Sequence, residues 1–204
     1  MKHPICFLLL NLQNDLCHPE GIYAKNGLLP KSIEEIISPI VKVVEFCDKI
    51  QVPILASVLT IITDLQGNAI GLGNTLKNRP FLEKEGFREN TWGHDLLEEI
   101  PKVDYKIKQW SMSPFYQTEL DRHLFALKAE EIILSGFTTN SAVETCAREA
   151  LGRGLKITTL TDCVASYSEA LHEASLTNLR SFGEIKSSEE WMESFSAETS
   201  GLSS

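Results

Sequence analysis

The sequence predicts a single α/β domain, a three-layer α/β/α sandwich around a mostly parallel sheet of about six strands. Three observations carry this. Ile5 to Leu10 is an unbroken apolar run that stops at Asn11, the pattern of a strand buried on both faces. Segments of strand character alternate with helical ones along the chain, which implies βαβ units with right-handed crossovers. Glu131 to Leu160 reads as one complete strand–turn–helix–strand unit.

The elements follow in order. After the first strand, Ser32 to Ile50 places Ile33, Ile36, Ile37, Ile40, Val41 and Val44 at helical spacing. Pro39 falls inside and predicts a kink or a first-turn position. Ile54 to Ile62, opened by Pro53, is a second strand. Asp64 to Glu89 is rich in Gly, Asn and charge and reads as a long irregular excursion. Tyr105 to Lys108 is a short strand and Thr118 to Leu127 a helix. Glu131 to Leu134 is a strand, Ser135 to Asn140 a turn, and Ser141 to Gly152 a helix ended by Gly152 and Gly154. Leu155 to Leu160 is a strand. Ser168 to Leu179 and Glu189 to Phe195 are the last helices. The 204 residues suit one domain, residues 1–196, with 197–204 as a flexible C-terminal tail of small polar residues. In such folds ligands collect at the carboxyl ends of the strands.

Composition narrows the partners. The formal net charge is −9, with no dense Lys/Arg run, so nucleic acid is not an expected partner. The N-terminal apolar run is too short for a membrane span and lacks the small-residue cleavage site of a signal peptide, so no membrane association and a cytoplasmic location are expected. Cys6, Cys17, Cys47, Cys146 and Cys163 are dispersed and odd in number, the pattern of free thiols in a reducing compartment. Asp64 has no His near it, and His3, His18, His94, His123 and His172 lack ligand spacing. Neither a metal nor another cofactor is expected.

Three segments at strand ends carry the chemistry. The first is Leu10-Asn11-Leu12-Gln13-Asn14-Asp15-Leu16. The second runs from Lys106 through Lys108, Gln109, Trp110 and Ser113 to Phe115. The third is Gly136-Phe137-Thr138-Thr139-Asn140-Ser141-Ala142-Val143-Glu144, continuing to Ala147-Arg148-Glu149-Ala150 and Gly154. From about Cys6 to about Ile185 this order resembles the isochorismatase-like cysteine hydrolases, a family that includes nicotinamidases and other amidases. The third segment is its most specific part.

The resemblance implies an isochorismatase-like, Rossmann-like fold and a catalytic Asp, Lys and Cys. The Asp would close the first strand as general base. The Cys thiolate would attack a carbonyl carbon, its pKa lowered by a helix N-terminus and the Lys. Carried onto this chain, the Asp position holds Asn11, which has no carboxylate. The Cys position holds Ala142, whose methyl cannot attack. The Lys position falls on Gln109, or on Lys108 if the backbone bulges. Losing a nucleophile alone costs on the order of 10⁶ in rate in a well-characterised hydrolase. Cysteine-hydrolase turnover is therefore not expected.

Further residues surround these positions. By resemblance, the Phe137–Thr138 bond is a candidate cis peptide in the oxyanion turn that Thr139 and Ser141 continue. Ser141 and Glu144 fit a capping box. Thr139 has no visible base to make it a nucleophile. Cys146 reads as a packing thiol one turn below Ala142, while Cys17 could face the pocket. Trp92, Trp110, Phe115 and Tyr116 either pack the core or an interface, or rim a pocket for a flat ligand. The resemblance implies a homo-oligomer. With the triad changed, it implies a silent relative that binds a small-molecule ligand or a protein partner. The alternatives are an active hydrolase of a small amide, ester or isochorismate-type vinyl ether using rearranged residues, and an interaction protein with a vestigial pocket.

Overall fold

The computed structural model describes residues 4–30 and 32–201. Along the chain run β1 (Ile5–Leu10), α1 (Asn14–Cys17), α2 (Ile22–Lys25), α3 (Ser32–Ile50), β2 (Ile54–Leu59), α4 (Thr75–Asn78), β3 (Tyr105–Gln109), α5 (Leu120–Ala126), β4 (Glu131–Phe137), α6 (Glu144–Gly152), β5 (Lys156–Ala165), α7 (Glu169–Leu179), β6 (Glu184–Lys186) and α8 (Ser188–Gly201). The strands form one parallel sheet in the order β3-β2-β1-β4-β5-β6. This is the strand order of doubly wound dinucleotide folds, and its direction reverses between β1 and β4.

β1 is buried along its whole length because both sheet faces are covered. Phe7 and Leu9 point to one face, where Ile36, Ile40 and Val44 of α3 and Trp191 of α8 close over them. Cys6, Leu8 and Leu10 point to the other, against Leu124 of α5, Cys146 of α6 and Leu176 of α7. Each such buried aliphatic contributes about 1.5–3 kcal/mol. α3 continues unbroken across Pro39. Among the described residues, no helix is long and apolar enough to cross a membrane.

Several boundaries differ from the sequence expectation, and the largest shift in a strand is that of β5, which runs on to Ala165 rather than ending at Leu160. β2 stops at Leu59 rather than Ile62, and Ile62 is exposed. β4 runs past Leu134 through Ser135 and Gly136 to Phe137, where a turn was expected. α6 opens only at Glu144, after a π-helical turn over Thr139–Val143. α8 reaches Gly201, through most of the segment expected as a tail, while residues 202–204 lie outside the described residues. The short strand β6 carries too few apolar residues to announce itself.

The continuation of β4 rests on a glycine. Gly136 pairs with Leu10 across the switch point and has φ +114°. A Cβ there would stand 2.2 Å from the carbonyl oxygen of Leu10 and 2.6 Å from its nitrogen. Both are backbone atoms in the middle of the sheet and cannot yield cheaply. Gly136→Ala therefore combines a disfavoured backbone with a direct clash, and the expected loss exceeds about 3 kcal/mol. Urea unfolding followed by circular dichroism measures it, and an unchanged midpoint would refute this account of the β1–β4 contact.

Candidate functional site

A cavity of about 330 Å³ opens at the carboxyl ends of β1, β3 and β4. Its floor comes from the first residues past each strand. Asn11 leaves β1 with φ +57°, a left-handed conformation that Asn adopts more readily than most residues. Its N–H still donates to the Ser57 carbonyl at 3.1 Å, so the chain turns away immediately after its last sheet bond. The Asn11 side chain is 7% exposed. Its Nδ2 donates to the Phe137 carbonyl at 3.3 Å, which ties the ends of β1 and β4.

Gln109 closes β3 and is 1% exposed. Its Nε2 donates to the Ser111 carbonyl at 3.1 Å. Each amide is oriented by the carbonyl it faces, which leaves its own oxygen over. Asn11 Oδ1 and Gln109 Oε1 accept no hydrogen bond among the described residues. An unmet buried acceptor costs roughly 1–3 kcal/mol.

The choice between Lys108 and Gln109 is decided by the pleat. β3 pairs with β2 in unbroken register, Val58 with Lys108 and Leu59 with Gln109, without a bulge. Gln109 therefore faces the cavity, while Lys108 points away and pairs with Glu89 on the surface.

β4 supplies the third wall. The Phe137–Thr138 peptide is cis, as the resemblance implied. Thr138, Ser141 and Ala142 line the cavity, and Ala142 is 2% exposed. Thr139 turns the other way. Its hydroxyl meets His172 Nδ1 at 2.9 Å, and its carbonyl accepts from Ser175 Oγ. This imidazole is a neighbour that the sequence did not reveal, but Thr139 does not reach the cavity. The capping box does not form. Ser141 faces the cavity, α6 has no side-chain N-cap, and the Glu144 carboxylate accepts from Ser175, Asn178 and Arg148 instead. These donors hold Glu144 below the usual carboxylate range against the opposing effect of burial.

Of the aromatic candidates, Trp110 lines the cavity. Phe115 does not. It is 3% exposed in the core beneath the Arg153 guanidinium, 4.0 Å from its ring centroid. Trp92 does not either. It is 49% exposed and packs edge-on to His18. A Trp in a loop beside a motif carries no signal for which way it faces.

The roof comes from residues 72–82 of the excursion between β2 and β3, where the sequence pointed to no site residue. Leu72, Thr75, Asn78, Arg79 and Leu82 cover the cavity together with Tyr23 and Tyr167. A buried carboxylate docks this loop from below. Asp15 accepts the Phe87 N–H at 2.6 Å and the Ile22 N–H at 3.4 Å. Gly93 presses against it so closely that a Cβ would lie 2.2 Å from Asp15 Oδ1. Arg88 adds bonds to the carbonyls of Gly86, Leu82 and Glu83. Asp15 sits inside a quoted motif, but its partners are distant in sequence and no local pattern names them.

All five cysteines are buried and unpaired. None lines the cavity. Cys17 donates its thiol to the Asn11 carbonyl at 3.6 Å, and Cys146 lies in the core under α6. Burial pushes Cys6 up to about 12 and raises the other four thiols further. Among the described residues no group of three or more His, Cys, Asp or Glu is placed to hold a metal ion. His3 lies outside those residues.

With this geometry established, comparison with known proteins gives the class. The family model for the isochorismatase domain matches residues 6–190, and the chain belongs to this family of isochorismatase-like cysteine hydrolases. Among curated proteins it is similar to Nicotinamidase 3 of Arabidopsis thaliana, with 34% identity over 95 residues, 45% of this chain and 48% of that one. The aligned stretch spans about half the length of the curated relatives it matches. Among solved structures the fold is shared with a cysteine hydrolase from Pseudomonas syringae at TM-score 0.81 and 23% identity, over 93% of this chain and 91% of that one. It is shared also with the nicotinamidase/pyrazinamidase of Bacillus subtilis at TM-score 0.73 and 19% identity, over 89% and 98%.

Two outcomes follow. In the native protein at pH 8 the five thiols remain protonated and shielded, so iodoacetamide is expected to label none within minutes and all five in guanidinium, counted by mass spectrometry. One rapidly labelled native cysteine would break this account. Asp15→Ala removes a charge-assisted acceptor and is expected to cost roughly 2 kcal/mol. Amide exchange should accelerate at Phe87 before it does in β1, and uniform acceleration would contradict the docking role.

Proposed function

We propose that this chain is a catalytically silent member of its family that keeps the pocket and binds a small molecule there. One observation supports this above all. Among the described residues, the cavity lining contains no Asp, Glu, His, Lys or Cys. Asn11, Gln109 and Ala142 meet there, at the positions that the resemblance assigns to base, ammonium and nucleophile. A neutral amide takes no proton from a nucleophile near neutral pH, and a methyl group forms no acyl intermediate. Ser141 and Thr138 bring hydroxyls, but no base in the lining would activate them. This disfavours a hydrolase using rearranged residues.

The cavity is open rather than filled. Phe137 packs edge-on to Tyr167 with centroids 4.9 Å apart, which leaves the space beside Ala142 free. An open pocket with apolar walls and a few convergent polar groups fits ligand binding better than a vestige. The unpaired, buried thiols suit the reducing cytoplasm proposed as the location. Assembly as a homo-oligomer belongs to the same proposal, and sedimentation reads it directly.

The test is reconstruction. Left-handed backbone suits Asp about as well as Asn, so Asn11→Asp fits the existing turn. Combined with Gln109→Lys and Ala142→Cys, it returns carboxylate, ammonium and thiol to the floor. The unaltered chain is expected to hydrolyse nicotinamide about 10⁶-fold more slowly than an active nicotinamidase. The triple variant is expected to gain measurable turnover, followed by ammonia release. Hydrolysis of nicotinamide or isochorismate by the unaltered chain at an ordinary enzymatic rate would falsify the proposal.

A further inference from the structure

The floor of the cavity is neutral, so the one charge in its lining stands out. Among the described residues, Arg79, in the roof, is the only ionisable acid or base there apart from the tyrosine hydroxyls. Its guanidinium carbon lies 5.8 Å from the ring centroids of both Tyr23 and Tyr167. It makes no ion pair with any described residue, and Nη1 donates to the Asn78 carbonyl at 2.8 Å. The hydroxyls of Tyr23 and Tyr167 also accept from it, and a guanidinium carries five N–H donors in a fork matched to a carboxylate, so donors remain beyond these contacts. Asp15, the acid beside Tyr23, is already committed to the backbone of Phe87 and Ile22.

We propose that Arg79, framed by Tyr23 and Tyr167, is a carboxylate-binding subsite, and that the cavity takes a small ring-bearing monocarboxylate. This rests on the reading of the chain as a binding protein and narrows its ligand. Charge sets the first limit. One guanidinium, with no second cation among the described residues of the lining, balances a single negative charge, which favours a carboxylate over a phosphate. Shape sets the second. Trp110, Tyr23 and Tyr167 give the walls an aromatic surface, and about 330 Å³ accommodates one ring with its substituent. Burial holds both tyrosine hydroxyls above their ordinary range, so they remain protonated donors beside the guanidinium at neutral pH.

Titration calorimetry on the full chain with benzoate, cyclohexanecarboxylate and benzamide tests this. Benzoate and benzamide share a shape and differ in charge. At least one acid is expected to bind about tenfold or more tightly than the amide, the weight of one charge-assisted hydrogen bond. Arg79→Gln is expected to bring the acid down to the level of the amide. Lys77→Gln, an exposed neighbour outside the lining with the same change in net charge, is expected to leave it unchanged. Equal binding of acid and amide to the unaltered chain overturns the subsite while the binding pocket stands. An equal loss in Lys77→Gln and Arg79→Gln assigns the effect to net charge and also overturns it. Binding of none of the three compounds removes both the subsite and the binding role. The comparison of acid with amide needs no variant, so it holds even if Arg79→Gln does not fold.

Discussion

The architecture depends on how closely β4 approaches β1 where the strand order reverses. At the pair Leu10 and Gly136 the two backbones leave no room for a side chain. That approach lets β4 extend to Phe137 and brings its carbonyl within reach of the Asn11 amide. The chain then leaves both strands, by a left-handed residue at Asn11 and into the π-helical turn that follows Phe137. A crevice between diverging connections is the unavoidable result, and in doubly wound sheets this is where ligands bind. The cavity is a product of topology before it is a product of any residue that lines it.

Much of the scaffold was legible because its signals are local. The apolar run of β1 and the helical spacing from Ser32 to Ile50 each need only a short window to be read, and both boundaries agree with the structure. The third segment was legible because a glycine forced by close packing, a turn and a helix follow one another directly. The misread positions depend on distant partners. Glu144 looks like a capping residue until Ser175 and Asn178, more than thirty positions away, claim its oxygens. Phe115 looks like a pocket rim until Arg153 covers it. Lys108 and Gln109 differ by one step of the pleat, and only an observed register separates them. The roof was invisible because an irregular loop has no periodicity, and its place is set by Asp15 and Arg88 acting across the chain.

The chemistry of the floor is consistent with itself. A lone carboxylate, ammonium or thiolate in a nearly closed pocket carries a large desolvation cost unless its partners are present. Here all three candidate positions are uncharged, so none leaves another stranded. The cost that remains is smaller and of another kind: two amide oxygens without donors.

The docking of the roof loop by Asp15 has a consequence for how this protein diversifies. The sheet fixes the size of the crevice, but among the described residues the only permanent charge facing it comes from a segment attached to the sheet by a few backbone bonds. The frame of the crevice and its charge are thus encoded in separate stretches of chain. Insertions and replacements between β2 and β3 that spare Phe87 and Gly93 alter the charge over the crevice while the α/β frame keeps its stability, which makes this loop the natural place for descendants of this chain to part ways.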